Sequence, residues 1–337
     1  MLSAAVRYSY GIQRTLISES LIAFSRVAEA LETGTSHISK PLLSEIRASL
    51  QTLWKHDLDC VRKGYYPEDL LKEGVSLRDL LTAVELLADF PKFIQRKRKR
   101  NYKDLPKNVD LDSFPDYYLR NFHCQTDGWL SSRSARLWDA QANIYFFGAT
   151  ASLARTLIPH LAGALQNVPR PRIMDMGCGT GRFLKQLGRT FPKARLTAMD
   201  LSPYYLSKAQ QNLSSHLNVS FILGNVTQMP IRDQTYDAIT TIGLFHELPS
   251  EARFNALTEV KRVLKPGGVF VFTDPIQFED QSPLEFLLCH LYKRFHEPYL
   301  KNYMHWNLKD AFHNVGLEII KTEKHFLLKN VVAVKVA

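Results

Sequence analysis

Apolar residues recur at every third or fourth position in the first hundred residues, then gather into short continuous runs in the second half of the chain. Leu16, Ile17, Leu21, Phe24 and Val27 have the spacing of an amphipathic helix that continues through residues 28–31. Leu43, Ile46, Leu50, Leu53 and Trp54 predict a second helix. Ser76, with Asp79 three residues on, resembles a capping box opening a third helix through Leu80, Leu81, Val84 and Leu87. Phe90-Pro91 is expected to end it, because proline lacks the N–H and crowds the preceding turn. Residues 1–125 are therefore expected as a helical accessory domain. It either packs against the remaining chain or a second subunit, or roofs a substrate site.

Residues 115–150 crowd Tyr117, Tyr118, Phe122, His123, Trp129, Trp138, Tyr145, Phe146 and Phe147 together, and a helix is expected over about 131–161. From 171 onward strands and helices alternate as a doubly wound α/β fold requires. The strands are 172–175, 195–200, Val219–Leu223, Tyr236–Ile242 and Val269–Thr273. Ser202-Pro203 opens a helix through Leu206, Ala209 and Leu213. Ser250 is expected to cap a helix with Phe254, Leu257, Val260 and Leu264 facing inward. A helix near 308–315 leads to Leu317–Ile320 and Phe326–Val336, an antiparallel closing pair.

Composition changes this picture little. The formal charge of +10 is spread along 337 residues, apart from the run Arg96–Arg100. That run reads as a solvated basic linker offering at most weak contact with an anionic membrane surface. No helix-turn-helix, zinc-finger or RNA-binding aromatic signature accompanies it, so no specific nucleic-acid partner is expected. The four cysteines form no C-x-x-C pair and suit a reducing compartment. No apolar run reaches the roughly 18 residues that span a bilayer. Residues 1–30 have the arginine- and serine-rich, acid-poor composition of a transit peptide, but their continuity with the following helix favours a retained element and a cytoplasmic protein.

The chemistry centres on Asp175-Met-Gly177-Cys178-Gly179-Thr180-Gly181, a strand ending in an acid, a glycine turn and a helix start. Alternate glycines permit positive φ and close approach of a ligand to the main chain, and the helix start offers free N–H groups. The dinucleotide fingerprint needs its third glycine where Arg182 stands. Asp200 ends the next strand at the separation used to hold ribose hydroxyls. This pattern resembles the first motifs of class I S-adenosylmethionine-dependent methyltransferases. Gly-Cys-Gly-Thr-Gly, Phe-His-Glu-Leu-Pro and Lys-Pro-Gly-Gly together are similar to the ubiquinone/menaquinone-type members that act on small molecules. The resemblance covers roughly 165–337, and the string 120–131 resembles a segment of little-characterised bacterial methyltransferases.

The resemblance implies a Rossmann-like seven-stranded methyltransferase sheet within residues 126–337, with the 131–161 helix as a lid whose aromatic faces favour a sulfonium cation. It implies S-adenosylmethionine as cofactor, held by Asp175, Gly177, Cys178, Gly179, Gly181, Asp200, Leu201, Asn225, Val226 and Ile242. Asn225 stands where the family usually has an acid for the adenine amino group. The expected reaction is O- or C-methylation of a small, hydrophobic or aromatic acceptor. A non-catalytic assembly or regulatory protein retaining the fold is the alternative. His246 is either a general base or part of the pocket wall, and His296, in a second Phe-His-Glu triplet, is expected to face the acceptor from the opposite side. No His-Glu-x-x-His occurs and no acidic cluster demands a metal, so no metal is expected.

Overall fold

A computed structural model describes residues 4–33, 38–73, 77–213 and 218–336. The described residues build a seven-stranded sheet of order β3-β2-β1-β4-β5-β7-β6. The parallel strands are β1 (Arg172–Met176), β2 (Arg195–Asp200), β3 (Val219–Leu223), β4 (Tyr236–Ile242) and β5 (Leu264–Pro275); β6 (Leu317–His325) and β7 (Leu328–Lys335) close the sheet antiparallel. The central strands β1, β4 and β5 are buried on both faces, while the edge strands β3 and β6 are largely half-buried or exposed. Ile173, Met174, Ala238, Ile239, Phe270 and Phe272 are all fully buried. The strand order reverses direction between β1 and β4, and ligands in such sheets bind at the carboxyl ends of the strands beside that switch point.

Helices α1 (Ala4–Thr33), α2 (Lys40–Arg62) and α3 (Leu77–Lys99) precede α4 (Ser132–Tyr145), α5 (Thr150–Arg155) and α6 (Ile158–Leu165). Within the sheet domain follow α7 (Arg182–Thr190), α8 (Pro203–Asn212), α9 (Ser250–Val263), α10 (Glu285–Arg294), α11 (Leu300–Met304) and α12 (Leu308–Asn314). None of the described helices is long and apolar enough to cross a membrane. One hydrophobic cluster runs from Tyr10, Ile22, Ile46 and Leu50 of the first helices to Met174, Ile239 and Phe270 of the sheet. The early helices thus share a core with the strands.

Several expectations change. The helix α3 continues through Pro91 to Lys99. Packing offsets the lost backbone bond: Phe90 stacks on Phe93, Phe93 meets Phe295 edge-on, and Asp89 and Glu85 pair with Arg133 and Arg136 of α4. The basic run therefore forms the end of a helix, and only Arg98, Lys99 and Arg100 are exposed. Arg96 is buried and donates to the Cys124 carbonyl (2.5 Å) and Thr126 Oγ1 (2.6 Å), while Lys97 pairs with Glu32. Ser76 lies outside the described residues. The single helix expected over 131–161 is three, broken at Phe147 and Gly148, whose φ angles are +48° and +79°. Ser250 does not cap α9; its hydroxyl donates to Asn302 Oδ1 (2.7 Å), and Phe254 is half exposed.

The helix α1 buries a face different from the expected one. Tyr10, Arg14, Ser18, Ile22 and Glu29 point inward, whereas Leu16 and Val27 are exposed. Polar anchoring decides this: Arg14 donates to the carbonyls of Leu71 (2.9 Å) and Glu73, and Glu29 pairs with His290.

A buried ion pair joins α2 to α5. Arg155 donates through Nε (2.8 Å) and Nη2 (2.5 Å) to Asp57, which also accepts from Ser152 Oγ (2.9 Å) and from the hydroxyls of Tyr10 and Tyr66. Burial opposes the Asp57 charge, but Arg155 and the two tyrosines outweigh it and hold the carboxyl at about 2. Removing one partner would strand the other charge in the core. Asp57→Ala is expected to lower stability by about 3–5 kcal/mol in urea unfolding. A loss below about 1 kcal/mol, the scale of an exposed pair, would contradict this role.

Candidate active site

The turn after β1 is hung from the end of β2. Gly177 N and Cys178 N both donate to the Met199 carbonyl (2.8 and 2.9 Å), and Gly179 N donates to Asp200 Oδ2 (2.8 Å). Asp200 Oδ1 accepts from Ser202 N (2.8 Å). Gly177, Gly179 and Gly181 have φ of +69°, +54° and +78°. A Cβ on Gly181 would lie 2.8 Å from Leu213 of α8, so this glycine serves helix packing. A Cβ on Gly179 would meet nothing within 4 Å, so the turn borders open space there. The helix α4 is tied over the turn by Thr180 Oγ1, which donates to Asp139 Oδ1 (2.7 Å), and by Arg182, 3.0 Å from Asp139.

Two carboxyl groups are buried beside this turn. Burial pushes Asp175 up to about 7, only partly offset by the Thr240 hydroxyl, which donates to it at 2.8 Å. Burial also raises Asp200 to about 6 against the N–H groups of Ser202 and Gly179. Among the described residues neither has a lysine, arginine or histidine partner. Such a pair fits a ligand that brings its own positive charge and hydrogen-bond donors.

A cavity of about 620 Å³ opens from the turn. Trp138, Tyr145 and Phe146 line it on one side, Leu288, Leu291, Phe295 and Leu300 from the chain after β5 on another, and Leu327 and Leu328 close it. Of the residues expected to hold a cofactor, Asp175, Gly177, Cys178, Gly179, Gly181 and Ile242 lie on this wall. Asp200, Leu201, Asn225 and Val226 are at the same sheet edge but off the wall. There Tyr117 donates to Asn225 Oδ1 (3.1 Å), and buried Tyr118 sits beside Asp200. Trp129 packs against Tyr118 and stacks on Phe122 with ring centres 4.2 Å apart, and its carbonyl accepts from Ser202 Oγ (2.6 Å). The aromatic segment thus covers this half of the edge.

His246 lies on the cavity wall, its Nδ1 2.5 Å from Asp274 Oδ1 and its Nε2 3.5 Å from Glu247. Burial opposes its charge, but Asp274 and Glu247 outweigh it and raise the imidazole to about 9. His296 does not face His246 across the cavity. It stacks on Tyr102 with centroids 3.8 Å apart, and burial together with Arg120 lowers it to about 4. Its neighbour Glu297 reaches the cavity instead and meets His123 Nδ1 at 2.5 Å, while Glu247 lies 3.0 Å from His123 Nε2. Burial works against a charge on His123, yet the two glutamates hold it at about 10. Sequence reasoning placed His123 only in an aromatic crowd and passed over Asp274. The recurrence of Phe-His-Glu at 245–247 and 295–297 was the available signal, and the glutamates, not the histidines, are what converge.

Residues 173–268 match the family profile described as a methyltransferase domain. A malonyl-[acyl-carrier protein] O-methyltransferase of Halalkalibacterium halodurans is 33% identical over 150 residues, 42% of this chain and 52% of the relative. A fatty-acid O-methyltransferase of Mycolicibacterium smegmatis is 34% identical over 118 residues, 34% and 41% of the two chains. A sterol 24-C-methyltransferase of Gibberella zeae is 28% identical over 190 residues, 54% and 47%. The chain thus spans about half the length of these curated relatives. The structure of human N-acetylserotonin methyltransferase in complex with SAM superposes with a TM-score of 0.52 at 16% identity, covering 73% of this chain and 67% of that one, a likeness of fold. Within the seven-stranded order, the glycine turn after β1 and the acid ending β2 thus lie in a region, residues 173–268, that is similar to a methyltransferase domain.

Proposed function

We propose that the protein transfers a methyl group from S-adenosylmethionine to a small, largely apolar acceptor bound in the cavity beside the glycine turn. The observation that carries this reading is the pair of buried carboxyl groups, Asp175 and Asp200, set without a cationic side chain at the turn where Gly179 leaves open space. When bound, the cofactor supplies an electrophilic methyl carried on sulfur. In this reading Asp175 accepts from the amino group of the cofactor and Asp200 from its ribose hydroxyls. Asp200 already accepts one backbone N–H on each oxygen and has lone pairs left for a diol. Tyr117, Tyr118 and Asn225 then border the adenine, and Trp138 and Tyr145 present aromatic faces towards the cationic centre.

The acceptor occupies the space between Tyr145, Leu288, Leu291, Phe295 and Leu300, which favours an aromatic ring or an acyl chain. The relatives named above act on acyl and sterol compounds, which supports an apolar acceptor without selecting one. His246, oriented by Asp274, is the proposed group for a proton released from the acceptor; only its neutral form can take that proton, and this form gains population as the pH rises towards about 9. Holding the acceptor in line with the methyl remains the larger contribution if the acceptor ionises unaided.

Calorimetric titration with S-adenosylmethionine tests the cofactor site. Gly179→Val and Asp200→Ala are each expected to weaken binding at least about tenfold, the first by filling the approach and the second by removing two acceptors. Unchanged affinity in both folded variants would remove the assignment. His246→Ala is expected to lower kcat on the order of a hundred- to ten-thousand-fold while cofactor affinity stays near wild type. Equal turnover would leave proximity alone.

The elevated Asp175 value also predicts how stability changes with pH. A carboxyl whose folded value lies above its unfolded value stabilises the fold when protonated. That stability is complete below about 4 and is lost as the pH rises through about 7. In unfolding measurements without cofactor from pH 4 to 8, Asp175→Asn should gain on the order of 3 kcal/mol relative to wild type across that range. A pH-independent difference between the two would contradict the buried, unpaired state.

A further inference from the structure

On the cavity wall, three side chains from three distant segments meet. His123 comes from the aromatic segment before α4, Glu247 from the chain after β4, and Glu297 from the chain after α10. All three line the cavity, and their side chains are 5–8% exposed. One ligand atom from each lies within 4.8 Å of the other two.

Oε1 of each glutamate meets the His123 imidazole, and Oε2 of each is buried with no hydrogen-bond partner. Two carboxylates are acceptors only, so a buried pair this close requires a positive charge beside it, which the protonated His123 supplies when no ion is bound. His123 is also held in the left-handed region, with φ +54°. A left-handed conformation costs a non-glycine residue about 1–2 kcal/mol, and it persists where the surroundings enforce it. Those surroundings are visible. His123 N donates to the His296 carbonyl (3.1 Å), and Arg96 holds the neighbouring Cys124 carbonyl. Trp138 and Tyr145 pack against the imidazole with centroids at 5.0 and 5.5 Å. Glu247 is backed in turn by His246 and, through it, by Asp274.

We infer that His123, Glu247 and Glu297 form a binding site for a divalent first-row transition ion, zinc or manganese, at the acceptor end of the cavity. One imidazole nitrogen and two carboxylate oxygens suit such ions better than magnesium or calcium, which favour oxygen alone. Ligand bonds of about 2.0–2.2 Å to an ion on one imidazole nitrogen require the glutamate now at the other nitrogen to turn towards it. The ion takes the place of the proton now needed among these groups. Because the three ligands approach from the wall, the remaining positions face the cavity. An oxygen of the acceptor can occupy one of them and lose its proton more readily there. That last step rests on the methyltransferase reading above; the binding of the ion does not.

The test uses the full chain, stripped with a chelator and then titrated with zinc chloride or manganese chloride alone, with no S-adenosylmethionine present. Elemental analysis after desalting should give one equivalent of ion per chain, and the ion should raise the melting temperature. Glu297→Gln preserves shape, and His123→Asn places a residue that tolerates the left-handed backbone. Each should weaken ion binding at least about tenfold, by removing one of three ligands, and abolish the thermal shift. Calorimetry with S-adenosylmethionine on the same metal-free samples reports separately on the cofactor site, so failure there leaves the metal result intact. Folded wild-type protein that takes up neither ion overturns the inference. Uptake undiminished in both variants places the ion elsewhere and overturns it equally. If a variant does not fold, the remaining one decides, and cadmium nuclear magnetic resonance of the wild type provides a second measurement, in which nitrogen-oxygen ligation is expected and sulfur ligation contradicts the site.

Discussion

The turn after β1 depends on the end of β2. Two consecutive N–H groups of Gly177 and Cys178 converge on the Met199 carbonyl, and the next acceptor, the Asp200 carboxylate, takes Gly179 N. These bonds hold three left-handed glycines in place at the carboxyl edge of a parallel sheet. Parallel pairing of β1 with both β2 and β4 then brings Asp175 and Thr240 side by side. The functional edge is thus a consequence of strand order and register, and its open space persists because the residue at 179 has no side chain.

Around this edge the protein distributes buried charge in two ways. Where structure alone is served, opposite charges are paired completely, as in Asp57 with Arg155, whose remaining atoms find hydroxyl and carbonyl partners. Near the cavity the pairing is incomplete. Among the described residues Asp175 and Asp200 have no cationic side-chain partner, and Glu247 and Glu297 keep unpartnered oxygens. Leaving such groups unsatisfied is costly in a low-dielectric interior. The contrast separates scaffold from site more sharply than shape does.

The early helices act on that site from a distance. Arg96 of α3 fixes the main chain beside His123, and the Asp57–Arg155 pair fixes α5, whose Leu153 and Ala154 line the cavity. The aromatic residues between α3 and α4 divide into two groups. Tyr117, Tyr118, Phe122 and Trp129 close over Asp200 and Asn225, while Trp138 and Tyr145 border the cavity and hold His123. The segment therefore belongs to both ends of the site.

The sequence by itself determined the sheet and the turn. Apolar runs of strand length, the acids at 175 and 200, and three glycines at alternate positions are local signals, because backbone conformation and burial on both faces are set within a few residues. Its local logic failed where partners from elsewhere decide. Pro91 stays inside a helix because α4 and Phe295 pack against it, and α1 turns a polar face inward because carbonyls at 71 and 73 await Arg14. Tertiary structure alone decided which member of each Phe-His-Glu triplet reaches the cavity. One triplet presents both His246 and Glu247, and the other Phe295 and Glu297 but not the histidine, because Tyr102 stacks on the His296 ring and holds it outside. Residues 123, 247 and 297 carry no mutual signal in the chain, since no helical or strand period spans such separations; their meeting exists only once the strands and the chain after β5 are in place.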